Sequence, residues 1–418
     1  MIEELETKSK YVPVTKQMVS KAYKKVKQNK GSAGIDKINI KEFDANLEKN
    51  LYKIWNRMSS GSYFPPAVKE VEIPKSDGKT RKLGIPTIGD RIAQMVVKDY
   101  LEPEFEKIFH ENSYGYRPNR SAHNALEKVR ENCWKYDWVI DLDIKGFFDN
   151  IDHELLMKAV EKHTDEKWVK MYIRRWLESP VEQQDGTKVF KLGKGTPQGG
   201  VISPLLANLF LHYSIDIWVT KYYPSCPFVR YADDMIIHCQ TKEEAEFILS
   251  KVRERLNQCK LELSEAKTKI VYCKDYRRKG DSENVKFDFL GYSFQPRTTK
   301  SKINGKPFLG FDCAISKKSR TKIIAELREL KYNRVSEIEI ERLAELLNPK
   351  LSGWINYYGK FRAIELHKLF RRLTLRLMKW VQNKYKITSR RKAYDWLRSK
   401  MKSSPRLFAH WRAGYIYI

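Results

Sequence analysis

Apolar and polar positions follow several distinct rhythms along the chain, and each predicts an element. Residues 14–30 read as a basic helix that ends in the turn Asn29-Lys30-Gly31-Ser32-Ala33-Gly34. The alternation Val68-Lys69-Glu70-Val71-Glu72-Ile73, the turn residues Ser76-Asp77-Gly78 and the returning Lys79–Leu83 predict a hairpin over 65–84. Helical patterns follow over 88–108 and 122–133. The β-branched and apolar run Trp138–Ile144 then predicts a strand. Helices are expected over 153–178, 202–221 and 242–260, with a strand-turn-strand around Tyr231-Ala232-Asp233-Asp234. A small β region ends near Phe294, and the chain reads as helical from about 315. A stretch rich in Lys, Thr and Gly, 297–310, reads as a loop and a domain boundary. Runs of strands and helices without a βαβ rhythm give an α+β class.

Composition narrows this picture. A length of 418 residues allows two or three domains, and 41% hydrophobic content marks a globular chain. No run approaches the roughly 20 apolar residues of a membrane helix, so no membrane partner is expected. The acidic start Met1-Ile2-Glu3-Glu4-Leu5-Glu6 is the opposite of a signal peptide. The six cysteines (133, 226, 239, 259, 273, 313) show no metal-finger spacing, which fits reduced thiols and a cytoplasmic location.

Charge says more. Lys and Arg number 80 against 52 Asp and Glu, a net charge of +28. Residues 297–418 hold 30 basic and 9 acidic side chains, a net +21, whereas the first 296 residues carry only +7. From Pro349 onward the sole acids are Glu365 and Asp395, against 18 basic residues. A surplus concentrated in this way points to a surface that neutralises phosphates. A balanced front and a basic rear suggest chemistry in front and polyanion grip behind.

Two acidic motifs carry the candidate chemistry. In Phe228–Ile237, apolar strands flank the adjacent Asp233 and Asp234 at a tight turn. Neighbouring carboxylates repel and raise each other's pKa, an arrangement best tolerated where a hard cation binds. In Asp141-Leu142-Asp143-Ile144-Lys145-Gly146-Phe147-Phe148-Asp149, Asp141 and Asp143 point to one face of a strand. An acid at that strand's end, brought beside the Asp233-Asp234 turn, completes a site for two Mg²⁺ ions.

The order of blocks resembles the reverse transcriptases encoded by bacterial group II introns, from about residue 12 to the C-terminus. The blocks are Asn29–Asp36, Ile73–Asp90, Asn112–Arg120, Asp141–His153, Gly195–Asn208, Arg230–Asp234, Leu261–Thr268 and Phe289–Tyr292. The resemblance implies a right-hand polymerase fold. It places an N-terminal extension and fingers at 1–110 and a palm with interleaved fingers elements at 111–296. An α-helical thumb or maturase-specific domain, with Leu351–Tyr358 as its signature, follows at 297–381, and a basic DNA-binding-like extension at 382–418. The metal ligands it implies are Asp143, Asp233 and Asp234, assisted by the backbone carbonyl of Ile144, with Mg²⁺ as the ion and Mn²⁺ as a substitute. Asp141 is left as a supporting acid. Lys75 and Arg81 are implied to grip the triphosphate, and Phe148 to crowd a ribose 2′-hydroxyl. Gln198 is expected near the nascent base pair, with Gly199 allowing close approach of backbone to the nucleotide. Asn112–Arg120 suits contact with template. Its alternative is an ordinary polar loop, and that of Phe148 is a core ring beside Phe147.

The implied partners are template and intron RNA, a DNA primer or target, and deoxynucleoside triphosphates, with oligomeric state left open and a dimer among the options. Location is expected to be the cytoplasm, near the nucleoid when acting on DNA. The last cysteine is Cys313 and only His367 and His410 follow, so no HNH endonuclease module fits. Two alternatives stand beside this reading: a maturase that only binds RNA, and a reverse transcriptase domesticated for phage defence or DNA repair. A polymerase using ribonucleotides is disfavoured by Phe148.

Overall fold

A computed structural model describes residues 12–74, 80–190, 192–300, 305–330 and 337–415. Along the chain the first eight strands are β1 (Val68–Pro74), β2 (Thr80–Ile85), β3 (Trp138–Leu142), β4 (Val181–Glu182), β5 (Lys188–Val189), β6 (Phe228–Tyr231), β7 (Asp234–Cys239) and β8 (Lys269–Tyr272). They form two sheets, ordered β2-β1-β4-β5 and β6-β7-β3-β8. With the many helices around them they give the expected α+β class and the right-hand polymerase fold. The described residues fall into two compact units, Met1–Ser121 with Ile140–Lys269, and Ala122–Val139 with Ile270–Ile418.

In the first unit, β1 and β2 form the expected hairpin, with Lys69 opposite Ile85 and Pro74 opposite Thr80. Its turn, Ser76–Gly78, lies outside the described residues. Helix Ile88–Ile108 starts where Thr87 Oγ1 accepts from the backbone N–H of Asp90. Asp90 is 1% exposed, and its carboxylate accepts from Tyr63 Oη, Trp176 Nε1 and Gln94 Nε2 at 3.0, 2.8 and 2.9 Å. Gln94 in turn accepts from the N–H of Ile202 at 3.2 Å. This polar chain inside an apolar core joins the helix to the loop at 197–202, because a buried carboxylate without donors is costly. The stretch 153–178 is two helices, His153–Glu161 and Lys167–Glu178. The stretch 202–221 is likewise broken: Ser203–Leu211 passes through a π-helical turn, His212–Asp216, into Ile217–Tyr222.

The second unit contains helix Ala122–Lys135 and a sheet ordered β11-β10-β9, with β9 at Phe287–Phe289, β10 at Tyr292–Lys300 and β11 at Pro307–Ile315. Most of the stretch read as a loop over 297–310 is therefore strand, paired from Tyr292 with Ile315 out to Lys300 with Pro307. Its polar composition misleads because a ladder satisfies the backbone whatever the outward side chains are. Between β9 and β10, Leu290 and Gly291 both have positive φ, +48° and +78°. That is the geometry of a two-residue hairpin turn whose twist matches its strands. Tyr357 Oη donates to the carbonyl of Leu290 at 2.8 Å, and the Tyr292 hydroxyl donates to the carbonyl of Tyr357. The blocks Phe289–Tyr292 and Leu351–Tyr358 thus interlock.

Helices Lys317–Glu329, Ile340–Tyr358, Leu366–Tyr385 and Arg390–Ser403 enclose one apolar core. Leu343, Leu347, Phe370, Leu373, Trp380 and Leu397 lie in it, and Trp354 and Tyr358 pack against it from one helix. Residues 393–415 belong to the same core through Ala393, Met401, Phe408 and Trp411. The basic segment after 381 is thus continuous with the helices before it, since its apolar positions need a partner surface. Phe408 is fully buried. Phe408→Ala is expected to destabilise this unit by about 3–5 kcal/mol, read by urea unfolding. A loss below about 1 kcal/mol would mean that 393–415 is only loosely attached.

Candidate active site

The Asp233-Asp234 turn joins β6 and β7, with Tyr231 opposite Asp234 and Phe228 opposite Ile237. Both strands are largely apolar and buried, which fixes their register, with Arg230 and His238 as buried polar exceptions. Asp143 follows the end of β3, the strand next to β7 in the same sheet. Its N–H donates to Thr268 Oγ1, and its carbonyl accepts from Ser264 N at 2.8 Å. Ile144 bridges Leu263, and Lys145 N donates to the Glu262 carbonyl, so block 261–268 lies along 143–145.

The three carboxylates meet. Asp143 and Asp233 both act on Asp234, and Asp143 acts on Asp233. Asp234 is open to water yet ringed by protein; that crowding first, then the two neighbouring acids, pushes its pKa up to about 6. Crowding likewise raises Asp233, with Asp143 adding to it and Arg81 opposing. Lys267 Nζ donates to Asp143 Oδ2 at 3.0 Å, the one ion pair made by the three acids among the described residues. Asp141, which shares a strand face with Asp143, lies 3.9 Å from Lys269. Three hard oxygen donors under mutual repulsion, with one lysine between them, suit divalent cations of the Mg²⁺ type.

The remaining site residues approach from two loops. Arg81, exposed on β2, donates through Nε to Gln198 Oε1, and its charge reaches Asp233. Gln198 also accepts through its carbonyl from Gly84 N at 2.7 Å. Gly199 has φ +122°, and an added Cβ would stand 2.3 Å from the carbonyl oxygen of Gly84. In this structure its missing side chain makes room for β2. Lys75 lies outside the described residues. Phe147 and Phe148 meet edge to face at 5.3 Å, and Phe147 packs on Phe210 at 6.4 Å. Phe147 and Phe148 are both buried, 2% and 6% exposed. The Phe148 carbonyl accepts from Thr196 N at 2.8 Å, pinning the loop before Pro197.

Block 112–120 divides between two roles. Asn112, Ser113, Tyr114 and Arg117 are buried, and Arg117 pairs with Glu106 at 2.9 Å. Tyr116 is 54% exposed, left-handed at φ +57°, and close enough to feel Asp233. The sequence gives Tyr116 only a share in the template contact expected of 112–120 and gives Lys267, Asn208 and Asp216 no role of their own; Lys267 and Asn208 lie within the motif blocks, but only tertiary contact aims them.

The family model for reverse transcriptase (RNA-dependent DNA polymerase) matches residues 73–294, just over half of the chain and spanning every carboxylate above. The chain belongs to the reverse transcriptases. These are RNA-directed DNA polymerases with a general need for divalent metal and nucleic-acid substrates. A second model, the group II intron maturase-specific domain, matches residues 320–398. Protein YkfC of Escherichia coli (strain K12) is 33% identical over 281 residues, 58% of this chain and 73% of that protein. The group II intron-encoded protein LtrA of Lactococcus lactis subsp. cremoris is 28% identical over 424 residues, 81% of this chain and 68% of LtrA. Among solved structures, telomerase from Candida albicans with a fragment of telomeric RNA is a distant likeness. Its TM-score is 0.47 at 12% identity, over 90% of this chain and 68% of that one.

Because the folded-state pKa of Asp234 is raised, the carboxyl favours folding below about pH 3.8 and that contribution is lost as pH rises through about 6. At pH 7 the ionised group opposes the fold of this reverse transcriptase. Asp234→Asn is therefore expected to stabilise the metal-free protein at pH 7 by no more than about 1 kcal/mol once solvent screening is allowed for, read as a higher Tm. The difference from wild type should close between pH 6 and 4, as thermal scans would show. Equal Tm values at pH 7 would mean that the acids do not strain this site.

Proposed function

We propose that this reverse transcriptase copies RNA into DNA with two Mg²⁺ ions held on Asp143, Asp233 and Asp234, the backbone carbonyl of Ile144 assisting. The observation that carries this is that Asp233 and Asp234 at the β6–β7 turn and Asp143 at the end of β3 act on one another at a water-accessible surface, with Arg81, held by Gln198, acting on Asp233. Bound metal would make the primer 3′-hydroxyl a better nucleophile and offset charge on the triphosphate. Lys267 holds Asp143 in place when no metal competes for it. Arg81, steadied by Gln198, is placed for the phosphates of a deoxynucleoside triphosphate, where a fixed cation is worth most. Lys75 is assigned to the same grip by family resemblance alone. Phe148 blocks the space a ribose 2′-hydroxyl would need.

The maturase-specific helices and their positive surplus support binding of intron RNA by shape and phosphate contact, and with it help to splicing and mobility. DNA primer or target and a cytoplasmic location complete the proposal, with the oligomeric state left open. The intact carboxylates favour a working polymerase over a protein that only binds RNA.

Binding RNA needs no catalytic metal, whereas chemistry on a primer does. The double change Asp233→Ala with Asp234→Ala is expected to cut cDNA synthesis by roughly a thousandfold or more, leaving RNA affinity and intron splicing near wild type. Primer extension beside an in vitro splicing time course tests this. Extension within tenfold of wild type would remove these acids from the site. If wild type accelerates no splicing of its flanking RNA, a domesticated polymerase becomes the better account.

For the gate, Phe148→Ala is expected to raise ribonucleotide incorporation relative to deoxynucleotide by about tenfold or more, because discrimination here works by exclusion. Single-nucleotide kinetics with paired substrates measure it. An unchanged ratio would assign Phe148 to the core alone.

A further inference from the structure

The turn bearing Asp233 and Asp234 is held from behind by one buried arginine. Arg230 is 1% exposed and directs none of its donors at those carboxylates. Nε and Nη2 donate to the two oxygens of Asp216 at 2.7 and 2.5 Å. Nη1 donates to Asn208 Oδ1 and to the carbonyl oxygen of Ala232, each at 2.9 Å. Ala232 is the first residue of the turn and is left-handed, φ +58°, a conformation an alanine adopts only under strain.

The bracket extends outward. Arg230 N donates to the Asn112 carbonyl at 2.9 Å, and its own carbonyl accepts from Tyr114 N at 2.8 Å. Asn208 Nδ2 donates to the carbonyl of Gly115 at 2.7 Å. Gly115 lies so close to the turn that a Cβ there would stand 2.4 Å from Ala232 N.

The π-helical turn has a reason in this arrangement. Asn208 and Asp216 are eight positions apart, so in an unbroken α-helix at about 100° per residue they would diverge by roughly 80°. The extra residue in the π turn His212–Asp216 takes out one such step and returns them to within about 20° of one face. Both then reach the same guanidinium.

We infer that Arg230, braced by Asp216 and Asn208, is a positioning residue that sets the Asp233-Asp234 turn in its metal-receiving geometry. The inference rests on the reading of Asp143, Asp233 and Asp234 as metal-holding acids. The charge of Arg230 also reaches Asp233, but its donors go to Asp216, Asn208 and the Ala232 carbonyl, and a planar fork with several fixed donors is what lysine lacks.

Arg230→Lys keeps the buried charge pair but releases the Ala232 carbonyl. It is expected to lower kcat about ten- to a hundredfold at saturating template and nucleotide. The Mg²⁺ concentration for half-maximal activity should rise several-fold, and Mn²⁺ binding to the protein–template–primer complex, read by electron paramagnetic resonance, should weaken in parallel. Template–primer Kd and Tm should stay near wild type. Asn208→Ala should shift the same quantities by less. A folded Arg230→Lys protein with wild-type kcat and metal binding would overturn the inference. If that variant does not fold, Arg230→Met with Asp216→Leu removes charge and clamp together. Wild-type metal binding in the folded double variant would overturn the inference, and weakened binding would support it. Should the double variant also fail to fold, the Mn²⁺ affinity of Asn208→Ala decides in the same way. Asp233→Asn serves as control: if it keeps full activity, the reading of the acids has failed, whatever Arg230 does.

Discussion

Three carboxylates that repel one another have to be held within reach of one another, and much of the first unit is arranged around that constraint. Asp143 opposes the ionisation of Asp233 and Asp234, Asp233 opposes that of Asp234, and only Lys267 pairs with any of them among the described residues. Left to itself such a group would spread or take up protons. The polypeptide opposes this with backbone. Block 261–268 runs beside Asp143, residues 112–115 run beside β6, and the buried Arg230–Asp216 pair closes the back of the turn. Strain kept in this way is characteristic of sites whose stabilising partner arrives later.

A second arrangement serves the substrate side. The loop 196–200 is fastened at several points: Thr196 to the Phe148 carbonyl, Gln198 to Gly84, and Gln94 to Ile202. Gly84 and Gly199 face each other where a side chain on either would collide, with Val68 in one case and with the Gly84 carbonyl in the other. Close backbone packing therefore sets where Arg81 and Gln198 stand relative to the acids. Rigid support of this kind matters because catalytic groups displaced by about an ångström lose much of their effect.

The second unit obeys a different requirement. It must present cationic surface while keeping a dry core, and its helices do so by turning most of their apolar residues inward. Leu366–Tyr385 illustrates this: Leu369, Phe370, Leu373, Leu377 and Trp380 are buried, while Arg371, Arg372 and Lys379 fall between them. The interlocked Tyr292 and Tyr357 tie the hairpin turn at Leu290-Gly291 to the helix bearing the maturase signature. That helix is thereby held to the sheet as well as to its neighbouring helices.

Much of this was legible from the chain alone, for a local reason: alternation, helical periodicity and turn residues act over a few positions. They announced β1–β2, the helices 88–108 and 242–258, the β6–β7 turn and the charge division. The order of motif blocks carried the family. Other features depend on residues far apart in sequence that only packing brings into contact. The stretch 297–310 looked like a loop because its polar residues hid a ladder that is satisfied by backbone. Residues 382–415 looked like an appendage because their apolar positions find partners only in helices folded elsewhere. The buried set Asn208, Asp216 and Arg230 has no sequence signature, since a π turn has to shift the helical register before the first two reach the third. Sequence by itself named the carboxylates and the polymer they act on; tertiary structure alone decided what holds them together against their own repulsion.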